Sequence, residues 1–334
     1  MRQFCATAAV FLMFAFCGHS ILEAAFLLSS QVTATTPDES NREAKELNVT
    51  PEPDAVKSPS KSELTLTQAV VLGLIEGATE YLPVSSTGHL LIYQRMAGIS
   101  SENEDTVAAD ALAICIQSGA ILAVLLLYSS RIQLMLKGVL GGSRDGLHLL
   151  TCLIVAFLPA AVIGLLFNDW IREHLFSVTS VAWAQLVGGI LILAVSGRLN
   201  ASTPGRELNE MSLKGAFGVG LMQCLAFWPG FSRSLACILG CFSAGMKMTS
   251  AVEFSFLLGL MTLGAATAYE GLKHGSEIVA RFGVVAPAVA MVTAFVSAVV
   301  SVRFMVGILN RRGIAPFGYY RIILAAICFF FLTR

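Results

Sequence analysis

The sequence contains few charged residues and no excess of either sign. Only 13% of its 334 residues are charged, and 22 basic residues balance 22 acidic ones. Soluble domains average about 25% charged residues, so an ordinary soluble fold is excluded. The balanced charge gives no reason to expect nucleic acid or an acidic macromolecule as a partner. The eight cysteines lie in apolar stretches without the CxxC spacing of metal sites, so we interpret them as packing residues.

Apolar residues make up 55% of the chain, which predicts a multi-pass, all-α integral membrane protein. Eight apolar segments follow position 63, at roughly 65–82, 108–128, 147–167, 179–197, 213–228, 250–269, 284–308 and 318–333. Six of them are long enough for transmembrane helices, which need about 20 residues. The other two stop at Pro83 and Pro229 after about 16 to 18 residues.

The first part of the chain differs in composition from the rest. Residues 1–28 contain an early Arg2 and an apolar stretch, which is typical of a signal peptide or other targeting segment. Residues 29–62 are polar and rich in Pro, Ser, Thr and charged side chains, which predicts a disordered linker. The membrane domain is therefore expected at 63–334.

A short piece of about ten residues follows each proline break, at 88–98 and 235–245. Ten helical residues rise only about 15 Å, so neither piece completes a crossing. The simplest geometry is a re-entrant helical hairpin, in which the chain enters the membrane, turns and leaves on the same side.

A shift of 147 residues aligns the two halves of this domain, placing Glu76 on Gln223 and Ser85 on Ser232. We therefore predict an internal repeat. The two repeats cover about 64–200 and 211–334. Because three crossings, an odd number, separate the two hairpins, the repeat is expected to be inverted, with both loops meeting near the midplane.

Two acidic residues lie in the first short segment. Glu76 and Glu80 are four positions apart, so a helix would place both carboxylates on one face. A charge at membrane depth costs at least about 2.5 kcal/mol, and such residues usually face a functional cavity. Two arrangements are open: one protonated and one ionised carboxyl dividing acid and base roles, or two carboxylates sharing Mg²⁺ or Ca²⁺.

The first loop carries hydroxyls and an imidazole. Ser85, Ser86, Thr87 and His89 follow Pro83, where a short helix would begin. Hydroxyls and free N–H groups at a helix start suit phosphate oxygens, and Ser86 could be a nucleophile with His89 as its base. The alternative is that these hydroxyls only cap the helix.

The second loop carries the arginine. Arg233 lies between Ser232 and Ser234 and is the only cation between Lys214 and Lys247. Its planar guanidinium can bind phosphate bidentately and stabilise charge in a phosphoryl transition state. The alternative is a structural ion pair with a glutamate, which an incoming substrate could displace.

These motifs resemble the undecaprenyl-diphosphate phosphatase family, the bacitracin resistance proteins. The resemblance covers about 64–334 and is carried by Glu76-Gly-Ala-Thr-Glu80, Leu82-Pro-Val-Ser-Ser-Thr-Gly-His89, Pro229-Gly-Phe-Ser-Arg-Ser234 and Glu253-Phe-Ser-Phe-Leu-Leu258. It implies hydrolysis of undecaprenyl diphosphate to the monophosphate carrier and phosphate, with a divalent cation, by a protein of six spanning helices and two re-entrant hairpins.

By this resemblance, the positions assigned to catalysis are Glu76, Glu80, Ser86, His89 and Arg233. We expect substrate binding by Ser85, Thr87, Ser232 and Ser234, and cation binding by Glu76 and Glu80. The chain departs from the family pattern at Leu235, where glycine is usual, and at Ala113, where an acid is usual. Leu235 is expected to narrow the second loop or shift Arg233.

The alternative function is a transporter or flippase of phosphorylated polyprenyl lipid, since alternating-access carriers also have inverted repeats and broken helices. The expected partners are a polyprenyl diphosphate substrate and membrane lipid, and the sequence leaves a homodimer open. The expected location is the plasma membrane, or an organellar membrane if residues 1–28 are an organellar address.

Overall fold

A computed structural model describes residues 64–99, 106–198 and 204–331, which form helices without a β-strand. The targeting segment and linker predicted for residues 1–62 lie outside the described residues. The α-helices of the described residues are α1 (Leu66–Thr79), α2 (Ser86–Met96), α3 (Thr106–Leu127), α4 (Ser129–Val139), α5 (Arg144–Leu175), α6 (Val178–Ser196), α7 (Leu213–Gln223), α8 (Arg233–Ser243), α9 (Met248–Phe282), α10 (Val285–Arg312) and α11 (Ala315–Phe331).

Five stretches of the described helices are long and apolar enough to cross a membrane: Ala109–Leu127, Arg144–Phe167, Val178–Ser196, Met248–Phe282 and Val285–Leu309. They belong to α3, α5, α6, α9 and α10, and they confirm the predicted all-α membrane architecture. The predicted sixth crossing falls on α11, which has 17 described residues. The count of six therefore stays a prediction.

Two short helix pairs, α1–α2 and α7–α8, occupy the positions predicted for hairpins. Helices α2 and α8 have 11 residues each and begin 147 positions apart. Helices α1 and α7 also begin 147 positions apart, and hydroxyls of Thr65 and Ser212 cap their first turns. The helix starts of the two hairpins therefore share the 147-residue spacing, while the repeat itself and its inverted orientation stay predictions.

Each hairpin packs against a long helix of the other half. Helix α1 packs against α10, and α7 packs against α5. A Cβ added at Gly73 would lie 2.3 Å from the Ala290 carbonyl oxygen, and one at Gly220 would lie 2.4 Å from that of Ala156. Only glycine allows backbones to approach this closely. These contacts fix the height of each hairpin along its partner helix.

The loops at the ends of α1 and α7 meet in a shared apolar core. Tyr81 and Val84 from the first loop are buried in one cluster with Phe231 and Leu235 from the second. Buried residues of α3, α6, α8, α9, α10 and α11 complete this cluster. The two loops are therefore held together from behind by close packing, which positions their polar side chains.

Candidate active site

Both loops begin their short helix with a serine in an unusual backbone conformation. Ser85 has φ of 70° and Ser232 has φ of 81°, and no other non-glycine residue among those described has positive φ. The Ser85 hydroxyl accepts a bond from the Gly88 N–H at 3.4 Å, and that of Ser232 from the Leu235 N–H at 3.3 Å. Positive φ at non-glycine residues is costly and clusters at functional sites.

Glu80 connects the two loops. One carboxylate oxygen, Oε2, accepts a hydrogen bond from the Ser86 hydroxyl. The other, Oε1, accepts one from Nη2 of Arg233 at 2.9 Å. A hydroxyl, a carboxylate and a guanidinium thus form one continuous chain, a pattern suited to activating the hydroxyl and binding an anion.

Arg233 is held by more than its carboxylate partner. Its Nη1 donates to the Ser255 carbonyl oxygen at 2.9 Å, and its guanidinium carbon lies 5.9 Å from the centre of the Tyr81 ring. The glycine at position 259 leaves room for it, since a Cβ there would lie 2.5 Å from Nη1. These contacts aim the guanidinium at the first loop.

Glu76 lies one helical turn before Glu80 and is fully buried, with 0% exposure. Neither of its carboxylate oxygens has a hydrogen-bond partner. A buried, unpaired carboxylate is unstable, so it requires either a proton or a cation. Its hard oxygen atoms, with those of Glu80, fit Mg²⁺ or Ca²⁺. Among the described residues, no group of three or more His, Cys, Asp or Glu side chains is placed to hold a metal ion.

The hydroxyl of Ser234 connects the loops at a second point. It donates to the Leu82 carbonyl oxygen at 2.8 Å and lies 3.0 Å from the Ser232 hydroxyl. Ser234 does not line the cavity that Ser86 and Arg233 share. Its contacts are those of a residue that holds the first loop, whereas its predicted role in binding substrate remains a prediction.

His89 is not the hydrogen-bond partner of the Ser86 hydroxyl, which donates to Glu80. Its Nδ1 is 2.6 Å from the Ser85 carbonyl oxygen, and its Nε2 is 2.6 Å from the Tyr320 hydroxyl. The two rings are nearly parallel, with an interplanar angle of 9°. The structure therefore pairs Ser86 with Glu80, and both His89 nitrogens are occupied elsewhere.

A cavity of about 520 Å³ opens onto the Glu80–Ser86–Arg233 chain. Ser85, Thr87 and Ser232 line its polar end, together with that chain. An apolar wall is formed by Phe157, Ala160, Ala161, Gly164 and Leu165 of α5. The cavity thus combines charged and hydroxyl groups with an apolar surface, as an amphipathic ligand requires.

Several polar residues of the cavity were not predicted as site residues: Gln117, Gln223, Thr262 and Glu270. Buried amides and acids inside apolar segments are the signal that could have identified Gln117, Gln223 and Glu270. Leu235 is buried in the core cluster and does not line the cavity, and its expected narrowing of the second loop or shift of Arg233 stays a prediction. Ala113 is likewise buried in a core cluster.

Comparison with known proteins matches residues 69–327 to the family model of the bacitracin resistance protein BacA. The undecaprenyl-diphosphatase of Sorangium cellulosum is 41% identical over 262 residues, which are 78% of this chain and 84% of that protein. The undecaprenyl-diphosphatase of Maridesulfovibrio salexigens is 41% identical over 268 residues, 80% of this chain and 98% of that protein. The undecaprenyl-diphosphatase of Bdellovibrio bacteriovorus is 39% identical over 261 residues, 78% of this chain and 93% of that protein.

Proposed function

The chain belongs to the bacitracin resistance protein BacA family, and we propose that its two loops together hydrolyse undecaprenyl diphosphate to the monophosphate lipid carrier and inorganic phosphate. The protein is a multi-pass integral membrane hydrolase. The observation that carries the proposal is the hydrogen-bonded chain from Ser86 through Glu80 to Arg233 at the polar end of the cavity.

Substrate binding begins with an exchange of partners at Arg233. Its guanidinium is paired with Glu80 and has an Nε without a hydrogen-bond partner. A diphosphate entering the polar end offers oxygens that a guanidinium binds more favourably in bidentate geometry. When Arg233 turns toward the phosphate, the Glu80 carboxylate keeps the hydrogen bond from the Ser86 hydroxyl, whose proton it can accept.

The first chemical step is attack by the Ser86 oxygen on the terminal phosphorus. Glu80 takes the hydroxyl proton as the new oxygen–phosphorus bond forms. The bond between that phosphorus and the bridging oxygen breaks, and its electron pair leaves with the polyprenyl monophosphate. Arg233 stabilises the negative charge on the phosphoryl oxygens.

The second step releases phosphate from Ser86. Water attacks the phosphorus, and Glu80 returns its proton to the departing serine oxygen. The serine hydroxyl is restored and dihydrogen phosphate is the product, so the carboxylate finishes the cycle ionised, as it began. Thr87 and Ser232 line the same end of the cavity and can donate hydrogen bonds to phosphoryl oxygens.

A divalent cation would be held by Glu76 and Glu80, whose carboxyl groups interact with each other. When bound, it would neutralise phosphate charge as a Lewis acid. The unpartnered oxygens of Glu76 support this proposal.

The prenyl tail would lie along the apolar wall of α5, where Phe157, Ala161 and Leu165 line the cavity. This division keeps the tail among apolar surfaces while the diphosphate alone reaches the buried polar groups. Every group used here comes from a single chain, so the homodimer that the sequence leaves open is not required.

Phosphate release by the purified full-length protein in detergent, with polyprenyl diphosphate and Mg²⁺, tests the function. We expect release in the wild type and its loss in Arg233→Ala. If the wild type releases no phosphate with any divalent cation but moves the lipid between leaflets of a vesicle, the transporter alternative replaces the hydrolase.

A further inference from the structure

Arg321 lies in α11 with 0% exposure, the largest fully buried side chain of the described residues. No described carboxylate forms an ion pair with it. Its guanidinium instead donates hydrogen bonds to four backbone carbonyl oxygens, which belong to Pro83, Ala184, Gln185 and Gly230. A buried cation without an anionic partner is costly, so its retention calls for a functional reason.

The four carbonyls explain what Arg321 holds. Pro83 belongs to the first loop, at 3.1 Å from Nη1, and Gly230 to the second, at 2.7 Å from Nη2. These two positions are 147 apart and therefore correspond in the two halves. Each lies two residues before the positive-φ serine that begins the short helix of its loop. One guanidinium thus grips equivalent points of both loops.

The remaining two carbonyls tie this junction to α6. Arg321 contacts Ala184 at 3.0 Å and Gln185 at 3.4 Å, and the Gln185 amide donates to the Val84 carbonyl oxygen at 2.8 Å. Gly188 provides the space, since a Cβ there would lie 2.2 Å from Nη2 of Arg321. The planar guanidinium, with five N–H donors, can satisfy several carbonyls in such different directions.

We propose that Arg321 is a positioning residue for catalysis, which sets the distance between the two loops by binding the Pro83 and Gly230 carbonyls. It does not line the cavity, and its hydrogen bonds go to backbone carbonyls rather than to the predicted substrate-binding side chains. It acts through the loops that carry Ser86 and Arg233, so the proposal rests on the proposed function of those groups. A misplacement of about 1 Å at a reacting centre can cost about 100-fold in rate.

The test compares Arg321→Met with Arg321→Lys in full-length protein. Met keeps an unbranched apolar stem and removes every donor, whereas the Lys ammonium keeps three donors. We expect Arg321→Met to lower kcat per folded molecule by about 10- to 100-fold with a change in KM below about threefold, because the apolar tail supplies much of the binding. The kcat of Arg321→Lys should be at least about fivefold higher than that of Arg321→Met. Arg303→Met, at an exposed position of α10, is the matched control and should retain wild-type kcat.

A second variant keeps the test decisive if Arg321→Met does not fold. Gly188→Ala leaves the arginine in place but directs a methyl group at its guanidinium, and it should lower kcat as well. Gly197 caps the C-terminus of α6, and a Cβ added there would have no atom within 4 Å. Gly197→Ala is therefore the control. The proposal is overturned if folded Arg321→Met or Gly188→Ala keeps kcat within about twofold of wild type, or if only the folded fraction falls.

Hydrogen exchange supplies a readout independent of activity. We expect Arg321→Met to speed amide exchange in both loops, at 82–88 and 229–235, relative to Arg303→Met. Faster exchange in one loop only, or uniformly along the chain, would contradict a clamp on both. If the wild type shows no phosphatase activity, the proposed function fails, while the exchange measurement still tests the clamp.

Discussion

Glu80 and Arg233 are joined by a contact of 2.9 Å although they lie 153 positions apart in the chain. The pair is shielded from solvent, with side chains 5% and 10% exposed. One partner comes from each hairpin, so neither half of the domain contains the chemistry alone.

Glu80→Gln removes the proton acceptor of Ser86 while keeping the side-chain shape. We expect kcat for phosphate release to fall by about 100-fold or more, the lower range for general acid–base catalysis. Glu173→Gln, at an exposed position of α5, is the control and should match the wild type. Activity within about threefold of wild type would remove Glu80 from the role of base.

Ser86→Ala distinguishes the serine nucleophile from a directly activated water. We expect loss of at least about 100-fold in kcat, and a phosphoserine trapped by acid quenching only in proteins that retain Ser86. Ser243→Ala removes an exposed hydroxyl that donates only to its own helix, at Leu239, and provides the comparison. Near-full activity of Ser86→Ala would favour water as the nucleophile.

His89 and Tyr320 should behave as one unit, because Nε2 of the imidazole and the phenol oxygen are 2.6 Å apart. We expect Tyr320→Phe to show part of the loss of activity that His89→Ala causes. The double variant should be no less active than His89→Ala alone. Tyr319→Phe, on the exposed neighbour, should be silent. If His89 acts as an independent base, Tyr320→Phe will instead keep wild-type kcat.

Glu76→Gln tests the cation site. Chelation should abolish phosphate release in the wild type, and added Mg²⁺ or Ca²⁺ should restore it. In Glu76→Gln, the Mg²⁺ concentration for half-maximal activity should rise by about tenfold or more, with a parallel loss of directly measured Mn²⁺ binding. An unchanged cation dependence would assign the buried Glu76 carboxyl a proton rather than a metal.

Leu235→Ala separates core packing from catalysis. Leu235 is fully buried in the cluster behind the loops, and large-to-small changes at such sites cost about 2 to 5 kcal/mol. We expect the thermal midpoint in detergent to fall by roughly 5 °C or more, with kcat per folded molecule within about twofold of wild type. Leu166→Ala, on an exposed face of α5, should leave both unchanged. A loss of kcat comparable to Glu80→Gln would show that Leu235 shapes the site directly.

The hairpins could be predicted from the sequence because their signals are local. Pro83 and Pro229 follow short apolar stretches, and serines stand where short helices begin. The predicted starts at 88 and 235 were two residues late, because Ser85 and Ser232 themselves cap the helices. Helix α4 was not predicted, since Ser129–Val139 is short and mixes polar with apolar side chains.

The pairing of the site residues could not be predicted in the same way. His89 meets Tyr320 across 231 positions, and Arg321 meets Pro83 across 238. Sequence spacing reports only which residues share a local face, whereas these contacts depend on how α11 packs beside the loops. The sequence therefore suggested His89 as the neighbour of Ser86, and the fold supplied Glu80 instead.

The positive φ of Ser85 and Ser232 implies a trade-off between stability and activity. Glycine would adopt either backbone conformation without strain, and its introduction would make the folded protein easier to form. It would also remove the hydroxyls that cap α2 and α8, so the loops would be more mobile. Thermostabilisation at these two positions would therefore favour a more stable but slower catalyst.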